Sequence, residues 1–347
     1  MEFLVKIRSK IILSIIFGLA VMAALAILGD FNKMVTVLSN FEWLLVVPIL
    51  LLTLVNYVLR FVKWHYYLKV VGNGAEKIKA NDSAVIFISG LSMAMTPGKV
   101  GEFLKSYLVN QLNGTPMMIT APIVVAERFS DGLAMLVLAS FGIFFVSDIL
   151  KLVLLAILLA AIVLFIVVQW RALALRLMAM LGKIPFLASR MSHLHNFYES
   201  SYRLFSPRST ILAVGLGLLG WSCECLAFFL VMLGLGFPPS WLLLVQCTFI
   251  LAISTLIGSV SMLPGGLGAA DSSIGGLLLV SVQGITSAAA SAATLLIRFC
   301  TLWFGVTLGL LTLFLFRKRF DKPGTPLPGV KRPLPDKNVA VELESGQ

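Results

Sequence analysis

Six long apolar runs constrain this chain more than any other feature: Ile11–Leu28, Trp43–Leu59, Ile119–Val146, Ile149–Val168, Ile211–Leu235 and Ser287–Phe316. Each approaches or exceeds the roughly 20 residues that a helix needs to cross the hydrocarbon core of a bilayer. With 59% of 347 residues hydrophobic and 12% charged, no soluble domain of this length hides its apolar surface. In hydrocarbon only a helix or a closed barrel satisfies its own backbone. Runs this continuous lack the alternation of barrel strands, so the expected fold is an all-α integral membrane protein. Met1–Lys10 is basic like the start of a signal peptide. Ile11–Gly29 is too long for that role and lacks a small-x-small cleavage site, so a retained first helix is expected. The four cysteines lie in apolar runs and read as small buried hydrophobes without disulfides.

The formal charge of +11 is an orientation signal rather than a nucleic-acid footprint. Met1–Lys10 carries three Lys and Arg, Arg60–Asn110 seven, Arg171–Arg208 six and Arg317–Gln347 seven, leaving Lys33, Arg128, Lys151 and Arg298 elsewhere. The positive-inside rule puts all four basic stretches in the cytoplasm. That predicts an even number of crossings, about six, in a cell inner (cytoplasmic) membrane, with both termini cytoplasmic. Arg60–Lys69 interleaves basic and aromatic residues and reads as an interfacial anchor belt, or as a grip on lipid phosphates. Arg190–Phe205 puts Leu194, Phe197, Tyr198, Ser201, Tyr202 and Phe205 on one face, as in an amphipathic helix on the cytoplasmic surface. His193 and His195 fall on its polar side, and no metal or cofactor is expected. Residues 321–347 are rich in Pro and Gly and read as a disordered cytoplasmic tail.

Two stretches share the frame S-x-x-M-x-P-G-x-(apolar)-G, one running from Ser92 through Pro97, Gly98 and Gly101, the other from Ser259 through Pro264, Gly265 and Gly268. An intramembrane arginine follows each proline at a similar separation, Arg128 after Pro97 and Arg298 after Pro264. Polar Asn56 precedes the first proline at nearly the separation by which Glu224 precedes the second. This points to an internal repeat, the first copy about residues 43–146 and the second about 211–316, joined by a linker about 171–208 within a membrane domain spanning 1–320. Pro-Gly in mid-membrane breaks a helix, and broken backbone survives there only where protein buries it or a wet cavity meets it. Ser83–Val109 is therefore expected as a re-entrant hairpin. Trp241–Leu263 with Gly265–Val282 is its counterpart, although Trp241–Leu263 is long enough to span alone. The charge-derived topology makes the halves antiparallel, the inverted-repeat design that recurs in transporters.

Glu127, Arg128, Asp131, Glu224 and Arg298 lie inside apolar runs, each costing roughly 2.5–3.5 kcal/mol uncompensated at a helix centre. Arg128 and Asp131, at i and i+3, can pair. Two readings stay open. The charges are salt bridges clamping the halves. Alternatively, Arg128 and Arg298, with Lys99 and the helix starts after Pro97 and Pro264, hold an anionic group. Under the second, Pro97, Gly98, Gly101, Pro264, Gly265, Gly266 and Gly268 shape the site. Glu127, Asp131, Glu224, Glu102 and Asp271 then act as counter-charges or proton carriers, with helix capping the default role of Glu102 and Asp271.

The motifs Thr96-Pro97-Gly98-Lys99-Val100-Gly101-Glu102, Glu127-Arg128-x-x-Asp131 and Leu263-Pro264-Gly265-Gly266-Leu267-Gly268, with the late Arg298, resemble the lysylphosphatidylglycerol synthase transmembrane-region family. These flippase-like proteins are similar to the membrane half of the multiple peptide resistance factor, and the likeness covers about residues 5–320. The resemblance implies movement of an anionic lipid or lipid-linked intermediate between leaflets, with Arg128, Arg298 and the Pro-Gly loops around the headgroup path. A full synthase adds a soluble aminoacyl-transferring domain. Here only a short polar, Pro-rich stretch follows the last run, so no enzymatic activity is expected. The expected partners are membrane lipids and not nucleic acid. A membrane-embedded lipid-phosphate enzyme would call for a His or clustered acids in a span. None of the six apolar runs contains a His. A transporter of a small soluble anion, or a scaffold, is the other alternative.

Overall fold

The computed structural model describes residues 31–96, 101–142, 148–172, 176, 180 and 191–320. The first apolar run, the loop of Pro97, Gly98 and Lys99, and the tail 321–347 lie outside the described residues. Helix α1 is Phe31–Ser39, and a short 3-10 turn leads into α2, Val46–Val71. Then come α3, Ala80–Leu91; α4, Leu104–Asn113; α5, Met117–Ser140; α6, Asp148–Gln169; and α7, Met191–Leu204. The remaining described residues form α8, Pro207–Gly234; α9, Trp241–Val260; α10, Ala269–Ser281; α11, Ser287–Arg298; and α12, Phe304–Phe320. Among the described residues there is no strand.

Local chemistry sets the ends of these helices. Pro48 sits in the first turn of α2, where a missing N–H costs nothing, and the helix stops at Gly72, whose φ of +67° suits glycine. Ser206 and Pro207 open α8. Ser240 Oγ accepts the Leu243 N–H at the start of α9, and Thr286 Oγ1 accepts the Ala289 N–H at the start of α11.

Among the described residues, four helical segments are long and apolar enough to cross a membrane: Trp43–Val71, Pro207–Gly234, Trp241–Val260 and Ser287–Phe316. Helix α5 covers most of the expected run Ile119–Val146 but carries Glu127, Arg128 and Asp131 in its middle. Helix α9 is one continuous 20-residue segment, the longer of the two forms that the sequence allowed for it.

Helix α2 packs most extensively on α8, and Asn56 of α2 donates a hydrogen bond of 2.8 Å to the Gly220 carbonyl of α8. Around that axis the contacts come in pairs. Helix α3 lies on α12, and α9 lies on α5. Helix α4 folds back on α3, and α10 folds back on α9. The apolar core is built mainly from α5, α8, α9 and α11 on one side and from α2, α3, α4 and α5 on the other.

Two expectations are corrected here. The basic-aromatic stretch Arg60–Lys69 is not an interfacial belt. It continues α2 without a break, and Lys63, Trp64, Tyr67 and Leu68 are fully buried. The inward face is stable because Asp131 of α5 meets Lys63 there. Likewise α7 does more than lie on a surface. It packs on α5, burying Ser200, Ser201 and Leu204, and the ring of Phe205 beyond its end lies 5.1 Å from that of Phe129. His195 is exposed, and the side chain of His193 lies outside the described residues. Cys225, Cys247 and Cys300 are buried and Cys223 is half-buried, all as free thiols.

Candidate functional site

A cavity of about 1090 Å³, counted out to its open mouth, lies between the two halves of the chain. Helix α2 contributes Tyr57 and Arg60, α4 contributes Lys105, and α5 contributes Arg128. From the second half come Trp221 and Glu224 of α8, Thr255 of α9 and Arg298 of α11. Glu102, in the turn before α4, and Gly265 and Gly266, in the turn after α9, complete the polar wall. The ionisable lining is thus Arg60, Lys105, Arg128 and Arg298 against Glu102 and Glu224.

Acids stand behind Lys105, Arg128 and Arg298. Arg128 Nε lies 3.2 Å from Glu102 Oε2, and its Nη2 lies 3.1 Å from Asp131 Oδ2. Asp131 is also paired with Lys63, whose ammonium group donates at 3.3 Å to Ser130 Oγ. Lys105 pairs with Glu127, its ammonium 4.5 Å from the centre of the Trp64 ring. Arg298 pairs with Asp271 through Nε. A buried ion pair tolerates low dielectric only with close geometry and further hydrogen bonds. Lys63 has one to Ser130 Oγ and Asp271 one from the Gly268 N–H, whereas Arg128 Nε and Asp131 Oδ2 make none among the described residues. Every one of these five pairs stays within its own half of the chain, so they do not clamp the halves together as one sequence reading had it.

Four groups of the wall, Arg60 among them, are not matched in this way among the described residues. Glu224, 7% exposed, makes no hydrogen bond or close ion pair among the described residues. Arg298 Nη2 and Trp221 Nε1 are buried donors with no acceptor among the described residues. Leaving such a donor unmatched costs about 1–3 kcal/mol, which an acceptor in the cavity would recover.

The breaks that place the arginines are local chemistry again. After α9 the chain turns through Met262 at φ +54°, Gly265 at +62°, Gly266 at +68° and Gly268 at +83°. The three glycines take positive φ without steric cost, whereas Met262 takes it under strain. The Gly268 N–H then donates to Asp271 Oδ2 at 2.9 Å, opening α10. Asp271 therefore both caps that helix and holds Arg298. A Cβ on Gly266 would lie 3.1 Å from the Gly258 Cα of α9. Gly266→Ala is accordingly expected to destabilise the protein by about 2 kcal/mol, from unfavourable φ plus the backbone approach. A thermal melt of the purified variant checks this, and an unchanged melt would remove the close-turn argument. In the first half, the Gly101 N–H donates to Thr96 Oγ1 at 2.8 Å, closing the turn before α4.

Beyond Arg298 the last helix passes through a π-helical turn, Phe299–Trp303. Tyr57 donates to the Thr301 carbonyl in that turn at 2.6 Å, tying α2 to the final helix beside the cavity. Such turns recur at functional sites because they shift side chains by one register.

Arg128, Arg298, Glu102, Glu224, Gly265 and Gly266 thus come together in one wall. Asp131, Glu127 and Asp271 stand behind it, and Gly101, Pro264 and Gly268 shape its turns. Pro97, Gly98 and Lys99 lie outside the described residues. Sequence reasoning passed over Lys105, Tyr57 and Trp221, and read Arg60 and Lys63 only as part of the basic-aromatic stretch Arg60–Lys69. Helical spacing could have found the α2 members, since Asn56, Arg60, Lys63 and Tyr67 recur at i+3 or i+4 steps on one face. Among the described residues no three His, Cys, Asp or Glu side chains converge as a metal-ligand set.

Comparison with known proteins agrees with the sequence motifs. A "UPF0104 membrane protein" of Methanothermobacter thermautotrophicus is 24% identical over 319 residues, covering 84% of this chain and 90% of the relative. Another match under the same name and organism is 27% identical over 234 residues, covering 60% of this chain and 67% of the relative. The family model for the lysylphosphatidylglycerol synthase TM region matches residues 12–309, nearly the whole helical part of the chain. The chain is therefore a membrane protein of the lysylphosphatidylglycerol synthase transmembrane-region family.

Proposed function

We propose that this protein moves an anionic lipid, or a lipid-linked intermediate, between leaflets by passing its headgroup through the cavity while the tails stay in the bilayer. One observation carries the reading. Arg128 and Arg298, from opposite halves of the chain, line the same cavity, and Arg298 keeps a buried donor without an acceptor among the described residues. An anionic headgroup supplies acceptors to those donors, and charge-assisted bonds to guanidinium are among the strongest available to it.

The paired contacts of α3 with α12 and of α9 with α5 support an inverted repeat about the α2–α8 axis, the arrangement that places a transporter's site between its halves. So does the recurrence of one design, in which an arginine pairs with an acid at the start of the second hairpin arm, Arg128 with Glu102 and Arg298 with Asp271. In this reading the chain is a multi-pass protein of the cytoplasmic membrane with both termini in the cytoplasm. It carries out no covalent chemistry.

Reconstitution tests it. Purified protein in liposomes with a short-chain fluorescent phosphatidylglycerol is treated with dithionite, which bleaches only the outer leaflet. Bleaching well beyond half of the dye, dependent on protein, is the expected result. Bleaching that stops at the outer-leaflet fraction, with or without an imposed proton gradient, contradicts lipid movement.

A further inference from the structure

From the ion-pair arrangement we infer that Glu224 is the group that couples the cavity to protons: an anionic headgroup binds together with one proton on this carboxylate. The inference rests on the translocation reading and adds to it the residue and the coupled ion.

The cavity has five carboxylates in or behind its wall, and four are already engaged. Glu102 and Asp131 hold Arg128, Glu127 holds Lys105, and Asp271 holds Arg298. Protonating any of these would break an existing ion pair. Glu224 differs, since no cation among the described residues touches it. The titratable and charged groups that face it are Tyr57 and Arg60 of α2, Arg298 of α11, Asp131 of α5, and Cys223 and Cys225 of its own helix. Arg60, likewise, has no ion-pair partner among the described residues. Glu224 can therefore exchange a proton with the water at the cavity mouth without breaking a pair.

An anion seated on Arg298 and Trp221 would lie in the same cavity as Glu224. Two negative charges within one low-dielectric space repel strongly, and a proton taken from water onto the carboxylate removes that repulsion. Linkage then fixes the sign. Binding the anion takes up a proton, and affinity falls as pH rises, by at most about tenfold per pH unit for a single coupled proton. Release of the headgroup returns the proton, so a proton gradient can drive net movement.

Titration calorimetry of the detergent-solubilised full chain with short-chain phosphatidylglycerol, run at pH 8 in two buffers of different ionisation enthalpy, counts the protons directly. A deacylated probe, glycerophosphoglycerol, separates recognition of the headgroup from recognition of the lipid. The expected result is uptake approaching one proton per bound anion in the wild type. In Glu224→Gln no uptake is expected, and the pH dependence of the affinity should disappear. Should Glu224→Gln fail to fold, Glu224→Met supplies a second neutral side chain of similar length. Binding by the wild type without uptake overturns the inference while leaving translocation standing. Uptake that persists in the neutral variants does so too, by assigning the proton elsewhere. Tighter binding of a zwitterionic ethanolamine headgroup, lost in Glu224→Gln and without proton uptake, overturns it in favour of direct amine binding. Absence of any anion binding removes both the translocation reading and this one.

Discussion

Replacing Lys105 with Met is expected to destabilise the protein by about 3–5 kcal/mol, although the aliphatic stem is kept, because that is the usual cost of stranding one member of a buried ion pair. The residue is 4% exposed, and its partner Glu127 is 1% exposed. Lys105 is the ion-pair partner of Glu127 among the described residues, so its loss leaves a bare carboxylate inside an apolar bundle. The double variant Lys105→Met/Glu127→Gln should regain most of that stability, since burying a neutral amide costs far less than burying a charge. Denaturant titration of the four proteins closes the double-mutant cycle. If single and double variants were equally destabilised, the pair would contribute only through packing on Trp64 and Phe87, and the charge argument would fail.

Arg298→Ala is expected to reduce anionic-lipid translocation by roughly 10- to 150-fold, the equivalent of the about 1.5–3 kcal/mol that a hydrogen bond to a charged group contributes. The same substitution strands Asp271 and lowers stability, so folding and transport have to be separated. Arg298→Ala/Asp271→Asn does this. The asparagine still accepts the Gly268 N–H that opens α10, while the buried negative charge is gone. The double variant should melt nearly as the wild type does and still fail to move lipid. Recovery of transport along with stability would make Arg298 a structural residue, and the headgroup would have to be held elsewhere.

How much of this was legible in the sequence depends on the background against which each residue stood. Arg128 and Arg298 were visible because a charge in an apolar run long enough to span a bilayer has no local excuse. The Pro-Gly pairs were visible because they cannot continue a helix. Lys63, Lys105 and Arg60 were hidden by the opposite circumstance. They lie in stretches with enough neighbouring charge to resemble a cytoplasmic rim, and all three counted toward its positive charge. Helix α2 in fact runs on past Leu59 to Val71, and it does so because Lys63 finds Ser130 and Asp131 on α5, far along the chain. Local pattern cannot show such a partner. Glu102 was read as a capping residue for the same reason, since its pairing with Arg128 bridges a turn and a separate helix. The distinct status of Glu224 was likewise invisible, because an unengaged carboxylate is defined only by what the other four contact.

If lipid headgroups travel through the cavity shared by the two halves, filling that cavity must stop them. Thr255 lines it from α9, half-buried, and a cysteine there is nearly isosteric. In a Cys223→Ser background, which removes the one native thiol that is not buried, Thr255→Cys would be reconstituted and its translocation rate measured before and after a bulky maleimide. Loss of translocation on labelling, with the unsubstituted background unaffected, is the predicted result. An unchanged rate in fully labelled protein would show that lipids cross by another route.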